Sequence, residues 1–223
     1  MPVHASLTLT MAAPVANGIC LSQQPSAGGL QSLVLNGSLV TGGVAVLDVP
    51  RKVAITSTGN EIALTFVITG TNFAGRPQSE ALAGPNVTTV ASALYYNTVT
   101  SITVSGNTAG LITVGTNGQA TTPWFPMNYN RFPVSSQICN ISAGGSLTYT
   151  VQFTGDDLQI TNGVVNPNAS VTAIAQNHTT LTNQTINNTG ILISGVCGVR
   201  LVTNAWSSGS VTMNVIQSSA TAG

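Results

Sequence analysis

The chain has 223 residues and a formal net charge of zero, and its charged residues make up only 4% of the sequence, against roughly 25% in an ordinary soluble domain. Frequent, regularly placed Val, Ile, Leu and Thr exclude a disordered chain, and no apolar run is long enough for a membrane-spanning helix. The five basic residues are scattered and too few to neutralise a phosphate backbone, which excludes nucleic acid as the partner.

The first 45 residues are predicted to form an N-terminal arm that includes a first strand, over residues 6–11. Glycine, serine and glutamine are frequent around Gln23 to Gly29, which favours an arm that reaches a neighbouring subunit. Residues 1–6 contain no basic region followed by a long apolar core. We therefore expect no secretory signal and assembly in a host cytoplasm.

Period-two alternation is the strongest local pattern in the sequence. Residues 147–154 alternate between apolar side chains and Thr or Gln, which predicts a half-buried antiparallel strand. Residues 62–69 alternate in the same way, but their second face is also partly apolar, which predicts a strand covered on both sides. Similar runs predict further strands over residues 52–57, 101–105, 111–115, 171–175, 199–203 and 211–216.

Pairs of residues that tolerate tight turns separate these predicted strands. The pairs are Asn36-Gly37, Gly59-Asn60, Gly106-Asn107, Asn117-Gly118, Asn162-Gly163 and Ser208-Gly209. Short strands joined by frequent turns predict an all-β fold made of one or two tandem antiparallel β-sandwiches, Ig-like or jelly-roll-like in type.

The domain organisation is predicted from an internal likeness and from prolines. Residues 64–70 resemble residues 147–155, and each half of the chain is predicted to close with a hairpin, over residues 101–115 and 199–216. Two prolines within residues 121–126 block strand pairing there. These features predict an arm over residues 1–45, a sandwich domain over residues 46–121 and a second over residues 122–223.

The cysteines and histidines do not form a recognisable site. Cys20, Cys139 and Cys197 are far apart, odd in number and without a Cys-x-x-Cys spacing, so we predict reduced, partly buried thiols rather than a disulfide or a metal site. His4 and His178 are predicted to be surface residues. We expect neither a metal nor a cofactor.

Catalytic patterns are equally weak. Asp156 and Asp157 could bind calcium, but a solvated turn is the preferred interpretation. Glu61, Glu80 and Asp48 could act as glycosidase acids, but their spacing favours salt links with Arg51, Lys52 or Arg76 instead. The sequence also has no Gly-x-Ser-x-Gly nucleophile motif. We therefore predict a non-enzymatic protein without a small-molecule substrate.

A few aromatic side chains are the best candidates for contact with a partner. Trp and Tyr rings could bind a sugar, but core packing or subunit contact is their more frequent role. The predicted interface residues are Trp124, Phe125, Tyr129 and Trp206.

Three segments of the first half resemble a family of tailed-bacteriophage virion structural proteins: Val49 to Glu61, Leu64 to Asn72 and Thr98 to Gly106. The resemblance continues from about residue 45 to the C-terminus, through the linker Pro123-Trp-Phe-Pro-Met-Asn, the strand Tyr149 to Asp157 and the last strand Val211 to Gln217. The sequence departs from the family pattern after Asp157, where Asn, Thr and Ile replace a more aromatic and charged segment.

The resemblance implies a β-rich capsid decoration, or cement, protein that binds and stabilises the major capsid lattice. Its expected partners are the major capsid protein and copies of itself, and its expected location is the capsid surface of the virion. A structural protein of the neck, tail or fibre, or a carbohydrate- or receptor-binding β-sandwich module, are the alternatives.

Overall fold

A computed structural model describes residues 3–127, 137–156, 158–160, 164–165, 173–192 and 196–217. Every regular element in these ranges is a β-strand, so the predicted all-β class is confirmed. In chain order the strands are β1 (Val3–Thr10), β2 (Cys20–Gln23), β3 (Gln31–Ser32), β4 (Val40–Thr41), β5 (Val44–Ser57), β6 (Thr65–Thr71), β7 (Pro77–Ala83), β8 (Thr89–Ala91), β9 (Tyr96–Val104), β10 (Ile112–Thr121), β11 (Phe125–Pro126), β12 (Gln137–Gly144), β13 (Leu147–Thr154), β14 (Gln159–Ile160), β15 (Val164–Val165), β16 (Gln176–Asn177), β17 (Asn188–Leu192), β18 (Gly198–Trp206) and β19 (Ser210–Gln217).

The chain divides into two compact units. The first unit comprises Met1–Met11 and Thr121–Gly223, and the second comprises Ala12–Ala120. The division after Ala120 falls beside the predicted boundary, but the structure differs from the predicted arm over residues 1–45. Strand β1 pairs along its whole length with β19, and residues 12–45 supply three short strands to the second unit. Their backbone hydrogen bonds are therefore made within this chain.

The second unit depends on the long strand β5, which pairs with different strands along its two halves. The first half pairs with β9, with Ala45 opposite Val99, and β9 also pairs with β6, which pairs with the edge strand β7. The second half pairs with β10 and β8. Pro50 lies between the halves, where the register shifts, because proline donates no ladder hydrogen bond and is tolerated at such irregularities.

A continuous core fills the second unit. It includes Ile55, Phe66, Ile102 and Val114, one from each of β5, β6, β9 and β10, all fully buried. Cys20, the first residue of β2, and Ile19, just before it, belong to the same cluster. Burial of such side chains is the main favourable contribution to folding. The segment predicted to be an arm is thus partly core.

The first unit contains a four-stranded antiparallel sheet in the order β1-β19-β12-β17. In a second sheet β13 pairs with β18 over their whole lengths, with β16 on β13 and β11 on β18, and β14 and β15 pair separately with each other. Alternate side chains on β13 (Leu147, Tyr149 and Val151) and on β19 (Val211, Met213 and Val215) are buried. This alternation, which the sequence predicts for residues 147–154, gives each sheet one apolar face.

Both predicted hairpins are wrong, although their strands exist. Strand β9 pairs with β3, β5 and β6, whereas β10 pairs with β2 and β5. Likewise β18 pairs with β13 and β11, whereas β19 pairs with β1 and β12. The turn at Gly209, which has φ of 95°, therefore links two sheets, because alternation fixes the faces of a strand but not its partner.

Two strand predictions also change. The strand predicted from residue 62 begins at Thr65, because the backbone N–H of Leu64 donates to Glu61 in a turn. The strand predicted over residues 171–175 is absent at residues 173–175, and its first two residues lie outside the described ranges.

Candidate functional site

The predicted interface residues do not form one site. Trp124 is buried, with 4% of its surface exposed, and the guanidinium carbon of Arg200 lies 4.4 Å from the centre of its ring. Phe125 is half-buried in β11 and pairs with Val199. Trp206 is half-buried at the end of β18. Tyr129 lies outside the described residues.

A small apolar groove surrounds Trp124. Its volume is about 260 Å³, and its lining residues are Leu7, Thr8, Thr122, Pro123, Trp124 and Phe125. The indole Nε1 of Trp124 is buried and has no acceptor among the described residues. Because the ring packs under Arg200 and inside the first unit, Trp124 serves mainly in packing.

A larger groove, which we call the Trp206 groove, opens at the start of β13 and the end of β18. Its volume is about 440 Å³, and it is lined by Gly145, Ser146, Leu147, Thr148, Thr185, Ala205, Trp206 and Ser207. The indole Nε1 of Trp206 donates a hydrogen bond of 3.2 Å to the carbonyl oxygen of Gly209. This bond fixes the orientation of the ring. Among the described residues, no charged side chain lines the groove.

The loop that contributes Thr185 is fastened to β13. Gln184 and Tyr149 exchange backbone hydrogen bonds of 2.9 and 2.8 Å, and the Tyr149 hydroxyl donates to the carbonyl oxygen of Ile186 at 2.8 Å. Burial raises the pKa of Tyr149, so its hydroxyl remains a donor. The sequence reasoning missed Ser146, Thr148 and Thr185, because no local pattern relates residues 146–148 to residue 185.

Most ionisable side chains of the described residues make contacts within their own unit. Asp48 and Arg51 form a salt bridge of 3.3 Å, as one of the predicted salt links requires. The ammonium of Lys52 lies 5.6 Å from the centre of the Tyr95 ring. The Glu80 carboxylate accepts hydrogen bonds from the backbone of Ala93 and Leu94, not the predicted salt link. Arg76 is exposed.

The partners of Glu61 also differ from the predicted salt link. Its side chain is 1% exposed, and the carboxylate accepts hydrogen bonds from the Ser57 hydroxyl at 2.9 Å and from the backbone N–H groups of Ala109 and Gly110 at 2.9 and 2.8 Å. These donors hold two loops of the second unit together. Glu61 is thus a structural acceptor.

His178 is buried, which corrects the predicted surface location. Its Nδ1 accepts from the backbone N–H groups of Thr180 and Leu181, and its Nε2 lies 3.2 Å from the carbonyl oxygen of Ile191. The ring therefore connects a loop to β17. It is buried because both ring nitrogens satisfy backbone groups there.

Metal ligands are not gathered in the described ranges, where no group of three His, Cys, Asp or Glu residues could hold an ion. Asp156 accepts a hydrogen bond from the backbone N–H of Ile174, and Asp157 lies outside these ranges. Across the residues that the structure places, no helix has the length and hydropathy needed to cross a bilayer.

No family model, curated protein or solved structure matches this chain.

Cys20 is a buried free thiol in the core of the second unit, whereas Cys197 is buried with its Sγ 3.2 Å from the carbonyl oxygen of Gly155. The side chain of Cys139 lies outside the described part of the structure. Burial raises the pKa of the Cys20 thiol from 9.0 to about 12. The folded state therefore retains this proton over a pH range in which the unfolded state loses it.

This shift predicts a pH dependence of stability. The contribution of Cys20 is complete below pH 9.0 and is lost as the pH rises toward 12, with a slope of about 1.4 kcal/mol per pH unit. Urea unfolding of the parent and of Cys20→Ala should give a constant difference in unfolding free energy below pH 9.0. Above it, the parent should lose stability faster. Parallel curves up to about pH 10.5 would contradict the buried thiol.

Proposed function

We propose that this chain is a structural subunit of a tailed-bacteriophage virion, and that it acts as a capsid decoration protein. In this role it binds the major capsid protein and copies of itself at the capsid surface. The mechanism is added buried interface, which stabilises the assembled shell by mass action and requires no chemical step.

The observation that carries the proposal is the low charge of the surface. Asp48, Glu61, Glu80 and Arg51 all engage groups of the second unit. By contrast, large aliphatic side chains are exposed in both units, namely Leu21, Leu30, Val34, Val46, Ile62, Val87, Leu111, Ile174, Ile186, Ile191 and Ile216. Depletion of charge is the compositional mark of the centre of protein interfaces, and a net charge near zero favours association.

The resemblance of residues 45 onward to tailed-phage virion proteins supports the same conclusion. It is carried by the segments around Val49 to Glu61 and Leu64 to Asn72, which form most of β5 and β6 and the turn between them. The side chains of these segments pack in the core, and their backbone groups pair with neighbouring strands. The resemblance therefore concerns the fold, and these segments contain no catalytic motif.

The test is to purify particles of the phage that encodes this chain and to measure its copy number against that of the major capsid protein by quantitative mass spectrometry. A ratio close to the capsid protein's, with density on the shell in electron micrographs, is the expected result. A copy number that is a small fraction of this would move the protein to the neck, tail or fibre. Absence from purified particles would reject the virion role.

A further inference from the structure

We propose that the edge strand β7 is an interface between two copies of this chain, whose β7 strands pair antiparallel about a twofold axis at Ala81. The inference assigns a surface to the self-contact in the proposed function, and it rests on that function only for its place on the capsid. The pairing itself is a property of the purified protein in solution.

The outer edge of β7 carries backbone groups that point away from β6. At one end of the ladder between these strands, the N–H of Gly84 donates to the carbonyl oxygen of Leu64 at 2.9 Å. At the other end, the N–H of Asn72 donates to that of Arg76 at 3.0 Å. The register between the two ends is unbroken, and hydrogen-bonded pairs alternate along an antiparallel ladder. The residues whose N–H and C=O groups face outward are therefore Ser79, Ala81 and Ala83.

The side chains of β7 do not protect this edge. Edge strands are usually shielded by short length, lysine, an interior proline, a bulge or an inward-pointing charge. Strand β7 has 7 residues, and its proline is the first of them. Its one charged side chain, Glu80, is half-buried on the other face, where the carboxylate accepts from the N–H groups of Ala93 and Leu94. Within the described ranges β7 pairs with β6 alone, so the edge can accept another strand.

The symmetry of the edge favours a second copy as the added strand. Ser79 and Ala83 are exposed, small and equally distant from Ala81, and Pro77 and Pro85 bound the stretch at equal distances on either side. In an antiparallel pair centred on Ala81, this residue opposes itself and Ser79 opposes Ala83 of the second copy. The outward N–H groups of each copy then all meet outward carbonyl oxygens of the other, and only small side chains face each other across the exposed side.

A shift of the centre by one residue in either direction is less favourable. Centring on Glu80 would place two carboxylates directly opposite each other, which destabilises a sheet. Centring on Leu82 would require the carbonyl oxygen of Pro85 as an acceptor, but this oxygen already accepts from the N–H of Glu61 at 2.8 Å. With the centre at Ala81, the two Glu80 side chains lie diagonally, about 7 Å apart, and each keeps its own backbone donors.

A single strand pair is a small interface, so we expect weak association, with a dissociation constant of roughly 0.1 mM. On a surface that holds many copies, the high local concentration would favour the same contact. The pairing therefore adds to shell stability without a tight dimer in dilute solution.

The first test measures self-association of the full chain and locates it. Sedimentation velocity from roughly 10 µM to 1 mM, a range that spans the expected dissociation constant, should show a monomer–dimer equilibrium. Over the same range, hydrogen–deuterium exchange followed by NMR should slow by about fourfold at the outward amides of β7. The amides of Gln78, Glu80 and Leu82, which bond to β6, should be protected at both concentrations. This odd–even pattern separates the proposed pairing from other modes of association.

Charge substitutions then test the twofold axis. Ala81→Lys and Ala81→Glu should each weaken self-association by roughly tenfold or more, because like charges meet across the axis. An equimolar mixture of the two variants should regain the dimer, since residue 81 opposes itself. Both changes lie on the exposed face and leave the bonds to β6 in place. Ala27→Lys, at an exposed alanine outside β7, should leave the affinity unchanged.

A chain that stays monomeric at roughly 1 mM would overturn the pairing and leave the edge to a strand of another protein. A dimer that Ala81→Lys does not weaken, or protection without the odd–even pattern, would also overturn it. These outcomes are distinct from a failure of the proposed function, which copy number in purified particles decides. A β7 dimer of a protein absent from particles would reject the virion role alone.

Discussion

Replacing Glu61 with alanine should destabilise the second unit by about 4 kcal/mol, because three donors would lose a charged acceptor worth about 1.5–3 kcal/mol each and relaxation would recover part of the loss. The donors are the Ser57 hydroxyl and the backbone N–H groups of Ala109 and Gly110. In a unit of this size such a loss lowers the midpoint of thermal unfolding by about 15 °C.

Calorimetry and urea unfolding followed by circular dichroism measure the effect. Glu80→Ala is the matched control, since Glu80 also accepts from two backbone N–H groups but is only half-buried, and we expect a loss of about 1 kcal/mol from it. The loss of stability for Glu61→Gln should lie between these two values. The glutamine amide keeps one acceptor oxygen, but its NH₂ group then faces a donor that the second carboxylate oxygen had accepted from. Equal losses for Glu61→Ala and Glu80→Ala would contradict the structural role of Glu61.

The strands could be predicted from sequence because period-two alternation is a local property. The pattern from Leu147 to Thr154 coincides with β13 at both ends, since three of its apolar side chains, Leu147, Tyr149 and Val151, are buried. The pairing could not be predicted in the same way. Strand β5 changes partners near Pro50, and this exchange depends on packing between segments far apart in the chain.

The candidate site shows the same division between local and distant information. Trp206 could be singled out as an aromatic residue, but the groove around it needs Thr185, which the bridge between Tyr149 and Gln184 brings to β13. The partners of Glu61 could not be predicted from the sequence either. Its partners at Ala109 and Gly110 are backbone groups, and a carboxylate's choice between backbone donors and a cation leaves no mark on the sequence.

Substitutions at the Asp48–Arg51 pair should give the second large loss of stability, because Arg51 is 1% exposed and few groups contact its guanidinium. Its guanidinium forms the salt bridge with Asp48, donates to the carbonyl oxygen of Ala12 and lies 3.5 Å from the Thr116 hydroxyl. Burial lowers the pKa of Arg51, and the nearby Asp48 carboxylate raises it. The Asp48 carboxylate in turn accepts from the N–H of Ala12 at 2.6 Å, so the pair fastens the first residue of the second unit.

We expect Asp48→Ala to cost about 3–5 kcal/mol, because it leaves a buried cation without its countercharge. Arg51→Met should cost about 2 kcal/mol, because the Asp48 side chain is 35% exposed and can be hydrated once the guanidinium is gone. The double variant should then be more stable than the sum of the two losses predicts, by about 1–3 kcal/mol. Urea unfolding of the four proteins measures this coupling, with Arg76→Met as an exposed control expected within about 0.5 kcal/mol of the parent. Strict additivity would mean that the two side chains act separately, and the pair would then have no part in fastening Ala12.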